Sequence, residues 1–169
     1  PHRGAHFFSK DNSDKYLENT HSAFSKAVEL GFTHIETDVH SSKDSVPYVM
    51  HDPTLKRLTG ENIALKELTS KDIGKIRLKG SHVIPRLEET LEEFSSICFN
   101  IDAKSWEVTE PLAQVINKTK TFDRIFQEFT IPFIGELGFA SFFTGILPAK
   151  KLFLPLIAAS LIASAIKIG

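Results

Sequence analysis

The sequence has one cysteine in 169 residues, Cys98, so no disulfide can form within the chain. That residue lies in the run Ser96-Ile97-Cys98-Phe99-Asn100 and reads as a small core residue, not a nucleophile. An excess of charge is also missing: 20 Lys and Arg stand against 21 Asp and Glu, a formal net charge of -1. Nucleic-acid affinity rests on clustered basic charge, so nucleic acid is not the expected partner. The chain opens at Pro1-His2-Arg3-Gly4 with neither an initiator methionine nor a leader-like apolar stretch, which reads as a start inside a gene product. The expected setting is cytoplasmic. Charge is scarce at the other end, where Ile131 to Gly169 carries only Glu136, Lys150, Lys151 and Lys167. The apolar stretch Leu152 to Ile166 falls short of a bilayer span of about 20 residues and contains Pro155. With Ser160, Ser164 and Lys167 forming a polar stripe, it reads as an outer helix over 152–168 in preference to a membrane anchor.

What is present is an alternation of helical and strand patterns, sized for one domain over residues 1–169. Residues 18 to 31 read as a helix, with Asn19 or Thr20 as N-cap and Gly31 as the stop. Residues 33 to 40 alternate as a strand, 41 to 45 form a turn, and 46 to 51 form a second strand. Residues 53 to 84 are polar with scattered Leu and Ile and read as an excursion with short helical turns. Pro85 at the first helical position opens a helix through Phe94. Strands over 97–104 and 124–129 flank a helix over 109–120, and the whole pattern predicts a parallel α/β sheet.

Side chains alternate across a strand, so Glu36 and Asp38 share one face and Ile35, Thr37 and Val39 the other. Spacing alone favours a solvent-facing edge strand with two ordinary acids. The other strands change that reading. Asn100, Asp102 and Lys104 share a face at a second strand end, His51 stands where its strand meets a loop, and His2-Arg3 precedes the first helix. In parallel barrels the C-terminal strand ends form one rim where sites assemble. Three carboxylates there suit a hard divalent cation such as Mg²⁺ or Ca²⁺, the arginine and lysine suit phosphate oxygens, and the imidazoles suit proton transfer.

Order and spacing then become specific. His2-Arg3-Gly4, Glu18-Asn19-Thr20, Ala23-Phe24, Ile35-Glu36-Thr37-Asp38-Val39, His51-Asp52, Leu55-Lys56-Arg57-Leu58-Thr59-Gly60, Ile84-Pro85-Arg86-Leu87-Glu88-Glu89 and Asn100-Ile101-Asp102-Ala103-Lys104 together resemble the glycerophosphodiester phosphodiesterase family, over residues 1 to about 125. The resemblance implies a TIM-type (β/α)₈ barrel with a small insertion at 53–84. It also implies His2 and His51 as an acid/base pair, Arg3 and Lys104 on phosphate, and Glu36, Asp38 and Asp102 as ligands of Mg²⁺ or Ca²⁺. Asp102 stands where the family often has Glu, and Glu128 interrupts a Gln-Ser-Phe-like strand end. Strand one of such a barrel is present only as its tip, and strands seven and eight have no counterpart, so the expectation is a barrel incomplete at both ends. The implied reaction is hydrolysis of a glycerophosphodiester to glycerol 3-phosphate and an alcohol, by water or through a cyclic phosphate. A lysophospholipase D-type activity on a lipid-linked diester is the alternative, and an inactive fragment serving as a binding or regulatory module is another; membrane association is not the favoured reading. Glu18 reads either as a group orienting the site or as a first-turn acid on the helix dipole. Trp106 reads equally as a pocket wall or as packing, Tyr48 as packing, and His6, His21, His34, His40 and His82 as surface or packing residues.

Overall fold

The computed structural model describes residues 1–8, 14–79, 81–129 and 147–148; the expected helix over 152–168 lies outside them. Strand β1, His34–Ser41, turns through Ser42–Val46 into the short β2, Pro47–Val49. After the excursion over 53–84 come β3, Cys98–Ala103, β4, Ile125–Phe129, and β5, Leu147–Pro148. The sheet order is β2-β1-β3-β4-β5. The pairs β1–β3 and β3–β4 are parallel, and His2 bridges Glu36 in the parallel sense on the other edge of β1.

One expectation is corrected here. The second strand is shorter than 46–51 and runs antiparallel to β1, with Val39 opposite Val49 and Ser41 opposite Pro47. A parallel return needs a crossover of a dozen or more residues, and the Ser42–Val46 link is far too short for one. Ser45, at φ 61°, makes the tight reversal. The hairpin carries the chain beyond the rim and back, and Met50 N–H donates to Asp38 O on the return.

Register decides which face does what. Glu36 pairs with Asn100 and Asp38 with Asp102, so the acids of β1 and β3 are neighbours on one face. The opposite face, with Ile35, Val39, Phe99, Ile101 and Ala103, is buried in a single apolar cluster. Helix α1, His21–Glu29, contributes Phe24 and Ala27 to it. The Phe24 ring meets Phe94 and Phe99 edge-on at centroid distances of 5.7 and 5.8 Å. Two short helices of the excursion, α2 (Lys56–Thr59) and α3 (Ser70–Ile73), precede α4, Leu87–Glu93, and α5, Thr109–Thr119. The last two bury Leu87, Leu91, Leu112 and Ile116 in the same cluster. The Arg124 guanidinium donates to the carbonyls of Leu91, Phe94 and Ile97, satisfying the orphan acceptors where α4 ends. A second cluster, including Tyr48, Met50, Leu55, Leu58, Leu65 and Ile73, packs the excursion onto β2.

Several helix boundaries move inward. The first helix is capped by Thr20, whose hydroxyl accepts from Ala23 N–H, and Gly31, at φ +85°, follows its end. Arg86 is the N-cap of α4, so Pro85 lies just outside the helix. Cys98 is only half-buried, because it opens β3 at the end away from the site. His40 belongs to β1, as the alternation over 33–40 predicts, and Ser41 extends the strand by one residue.

Gly4 ties the N-terminal segment to α1. A Cβ there would stand 2.9 Å from Ala23 Cβ and 3.0 Å from Phe24 Cδ1, at a φ of +81°. Gly31 has a similar φ of +85° but open space around it. Gly4→Ala is therefore expected to cost about 1–3 kcal/mol by urea unfolding, from clash plus backbone strain. Gly31→Ala carries only the backbone term, about 1 kcal/mol. Equal losses would mean that the close approach at Gly4 contributes nothing.

Candidate active site

The acids of β1 set the electrostatic problem. Asp38 is 1% exposed, and Glu36 lies two residues away on the same face. Burial and the neighbouring Asp38 push the Glu36 carboxyl above its usual range, against the Arg3 amide and His2. Burial pushes Asp38 upward too, but Lys104 and Asn19 outweigh it and hold that carboxyl below its usual range.

The N-terminal segment supplies the first cation. Arg3 sits in the left-handed region at φ 49°, an uncommon place for a long side chain. That turn aims its amide N–H at Glu36 Oε2, 3.0 Å away, and sets its Nε 3.2 Å from Asp38 Oδ2, an ion pair without hydrogen-bond geometry. His2 Nδ1 lies 2.7 Å from the same Glu36 oxygen. Strand β3 supplies the second cation. Lys104 Nζ reaches Asp102 Oδ2 at 2.5 Å and Asp38 Oδ1 at 2.8 Å, the latter an ion pair whose angle falls outside that of a hydrogen bond. Burial lowers the affinity of Lys104 for its proton, but Asp102 and Asp38 more than reverse that.

The structure thus brings His2, Arg3, Glu18, Glu36, Asp38, Asp102 and Lys104 into one network. Glu18 Oε1 closes it behind Arg3, whose Nη1 lies 3.4 Å away. His51 joins less directly: its Nδ1 stands 2.7 Å from Asp52 Oδ1, and Arg57 links Asp52 to Glu18. Trp106 opens a short 3-10 turn over Trp106–Val108 and is 59% exposed. Among the described residues no three His, Cys, Asp or Glu side chains are grouped as a ready metal site. The acids are drawn instead to the chain's own cations. Glu128 pairs with Asp102 in the β3–β4 register.

Four residues of this site escaped the sequence reading. Asn19, at φ 56°, donates to Asp38 Oδ2 at 2.9 Å and accepts from Thr37 Oγ1 at 2.8 Å, a role no pattern announces. His40 shares the alternation of Glu36 and Asp38, and its Nε2 lies 3.0 Å from the His51 carbonyl. Burial lowers its pKa, and the nearby Lys104 adds to that effect. Asp52 was legible from its place next to His51. Arg57 sits in the excursion, where only the Leu55–Gly60 run could have pointed to it.

Comparison with known proteins shows what the chain is similar to. The chain is 35% identical over 107 residues to the Probable glycerophosphodiester phosphodiesterase 2 of Mycobacterium tuberculosis, covering 63% of this chain and 40% of that protein. It is 33% identical over 112 residues to Lysophospholipase D GDPD1 of Homo sapiens, covering 59% of this chain and 36% of that one. Among solved structures, the glycerophosphodiester phosphodiesterase of Agrobacterium tumefaciens matches with a TM-score of 0.66 at 29% identity, covering 77% of this chain and 56% of that one. That of Thermotoga maritima matches with a TM-score of 0.63 at 32% identity, covering 76% and 51%. The chain therefore spans from about a third to somewhat over half the length of these relatives, and its sheet is consistent with their TIM-barrel fold. The model of the glycerophosphoryl diester phosphodiesterase family matches residues 2–134, most of the chain, and the protein belongs to that family.

Proposed function

We propose that this chain carries the site of a phosphodiesterase that hydrolyses glycerophosphodiesters to glycerol 3-phosphate and an alcohol, with residues 53–84 as an insertion in a single barrel domain. The observation that carries the reading is the shared network on β1 and β3: three acids, two cations and His2 in direct contact, with His51 tied in through Asp52, Arg57 and Glu18. In this reading Arg3 and Lys104 face the phosphate oxygens as well as the acids. Each histidine has Nδ1 on a carboxylate, His2 on Glu36 and His51 on Asp52. That contact fixes the ring and leaves Nε2 to move a proton. One imidazole takes the proton of the attacking oxygen, and the other gives one to the leaving alkoxide.

Glu36, Asp38 and Asp102 are the residues that would hold a divalent ion, Mg²⁺ or Ca²⁺. Their oxygens are the hard donors such ions take. The raised carboxyl of Glu36 marks where positive charge is short. When bound, such an ion would neutralise developing charge on the phosphoryl oxygens.

A second reading, hydrolysis of a lipid-linked diester, draws support from the exposed Phe7 and Trp106, each 59% exposed and able to meet an acyl chain. Among the described residues no helix is long and apolar enough to cross a membrane. Parallel assays on glycerophosphocholine and lysophosphatidylcholine separate the two readings by relative kcat/KM.

Two outcomes test the main reading. In the full-length protein, His2→Ala and His51→Ala are each expected to lower kcat on glycerophosphocholine by about 10²–10⁴-fold with a far smaller change in KM. Release of glycerol 3-phosphate, followed by a coupled dehydrogenase assay, measures this, and near-normal turnover in either variant would remove that histidine from the mechanism. Lys104→Met strips the counter-ion from two buried acids and is expected to cost about 3–5 kcal/mol in chelator-treated protein. Added Mg²⁺ or Ca²⁺ should recover part of that loss in thermal melts. A variant as stable as the parent, or one indifferent to both ions, contradicts the proposed acid cluster.

A further inference from the structure

We propose that Arg57 is a positioning residue that locks the His51 loop to the Arg3 loop, coupling segment 53–84 to the chemistry. Its guanidinium spans two carboxylates that lie behind different site residues. Nε donates to Asp52 Oδ2 at 2.6 Å, and Nη2 donates to Glu18 Oε1 at 2.5 Å. The other oxygen of Asp52 meets His51 Nδ1 at 2.7 Å, and Glu18 Oε1 also takes Arg3 Nη1 at 3.4 Å. Arg57 is thus the bridge between a histidine at one loop and a phosphate-facing arginine at another, 54 positions earlier in the chain (57 − 3).

Only a planar fork fits this geometry. Two separate donors of one rigid group point to two different acids, and a lysine ammonium on a flexible stem cannot hold both in fixed directions. Packing does not account for Arg57. Its side chain is 48% exposed, while the neighbouring Leu55 and Leu58 anchor α2 in the apolar cluster. Removing the guanidinium leaves that anchorage intact. What it releases is Asp52, and with it the ring orientation of His51.

This inference rests on the reading of His51 as a proton-transfer group, and the test separates the two. The full-length protein is assayed on glycerophosphocholine as wild type, Arg57→Ala, Arg57→Lys and His51→Ala, with thermal melts of each. Arg57→Ala is expected to lower kcat by about 10–100-fold, the range for loss of a group that orients a reactive one, with KM changed less than about threefold. Its melting temperature should stay within a few degrees of the parent. Arg57→Lys should remain impaired despite keeping the charge, and added guanidinium ion at low millimolar concentration should restore part of the Arg57→Ala turnover. Wild-type kcat in Arg57→Ala overturns the inference, as does a loss that follows stability and is not rescued. If His51→Ala is inactive while Arg57→Ala is fully active, only the role of Arg57 fails. If His51→Ala itself turns over normally, the proton-transfer reading fails with it.

Discussion

Two carboxylates on the same face of one strand repel each other, and burying them multiplies the cost unless positive charge stands close by. Glu36 and Asp38 impose that constraint, and much of the described structure follows from it. The left-handed backbone at Arg3 and the close seat of Gly4 against α1 bring an amide and a guanidinium to the acids from one side. The parallel register of β1 and β3 brings Lys104 from the other, together with a third acid. Asn19 adds a neutral donor between them. Site and fold are therefore hard to separate: the contacts that make burial of Asp38 tolerable also assemble the groups that suit a phosphodiester.

The balance is uneven in an informative way. Asp38 is well compensated and stays ionised, whereas Glu36 remains under-compensated and is pushed toward its protonated form. Sites that must take up a cation or an anion keep such residual imbalance, since a fully neutralised cluster has nothing left to offer a ligand. The outer ring of Glu18, Arg57 and Asp52 does not touch the central acids, and Arg57 alone joins its two carboxylates. Beside Lys104 a small cavity, lined in part by His40, Pro53, Leu65, Lys66 and Glu107, extends this region toward segment 53–84.

Much of the fold was legible because it depends on local periodicity. The alternation over 33–40 gave both the strand and the shared face of Glu36 and Asp38, and the helical spacing of Ala23, Phe24 and Ala27 gave α1. The direction of β2 was readable in principle, since a link as short as Ser42–Val46 permits only a hairpin, but a regular strand–helix alternation obscured it. The direct network was legible for the same reason as the strands: Glu36 and Asp38 alternate in phase within β1, and Asp102 and Lys104 do so at the end of β3. Asn19, Arg57 and His40 were not, because their roles come from non-local contacts. A side chain 39 positions from its partner, as Arg57 is from Glu18, leaves no periodic trace. The reach of His40 to the His51 carbonyl needs the hairpin return before it exists.

The central claim is that the acids of β1 and β3 form one binding centre that Arg3 and Lys104 share with a phosphoryl ligand. Anomalous diffraction from crystals of the full-length protein grown with Mn²⁺ and glycerol 3-phosphate tests it most directly. The account predicts one ion within about 2.0–2.6 Å of oxygens from Glu36, Asp38 and Asp102, with the phosphate against Arg3 and Lys104. An ion bound elsewhere, with the three acids still paired only to Arg3, Lys104 and His2 and the phosphate away from both cations, would contradict it.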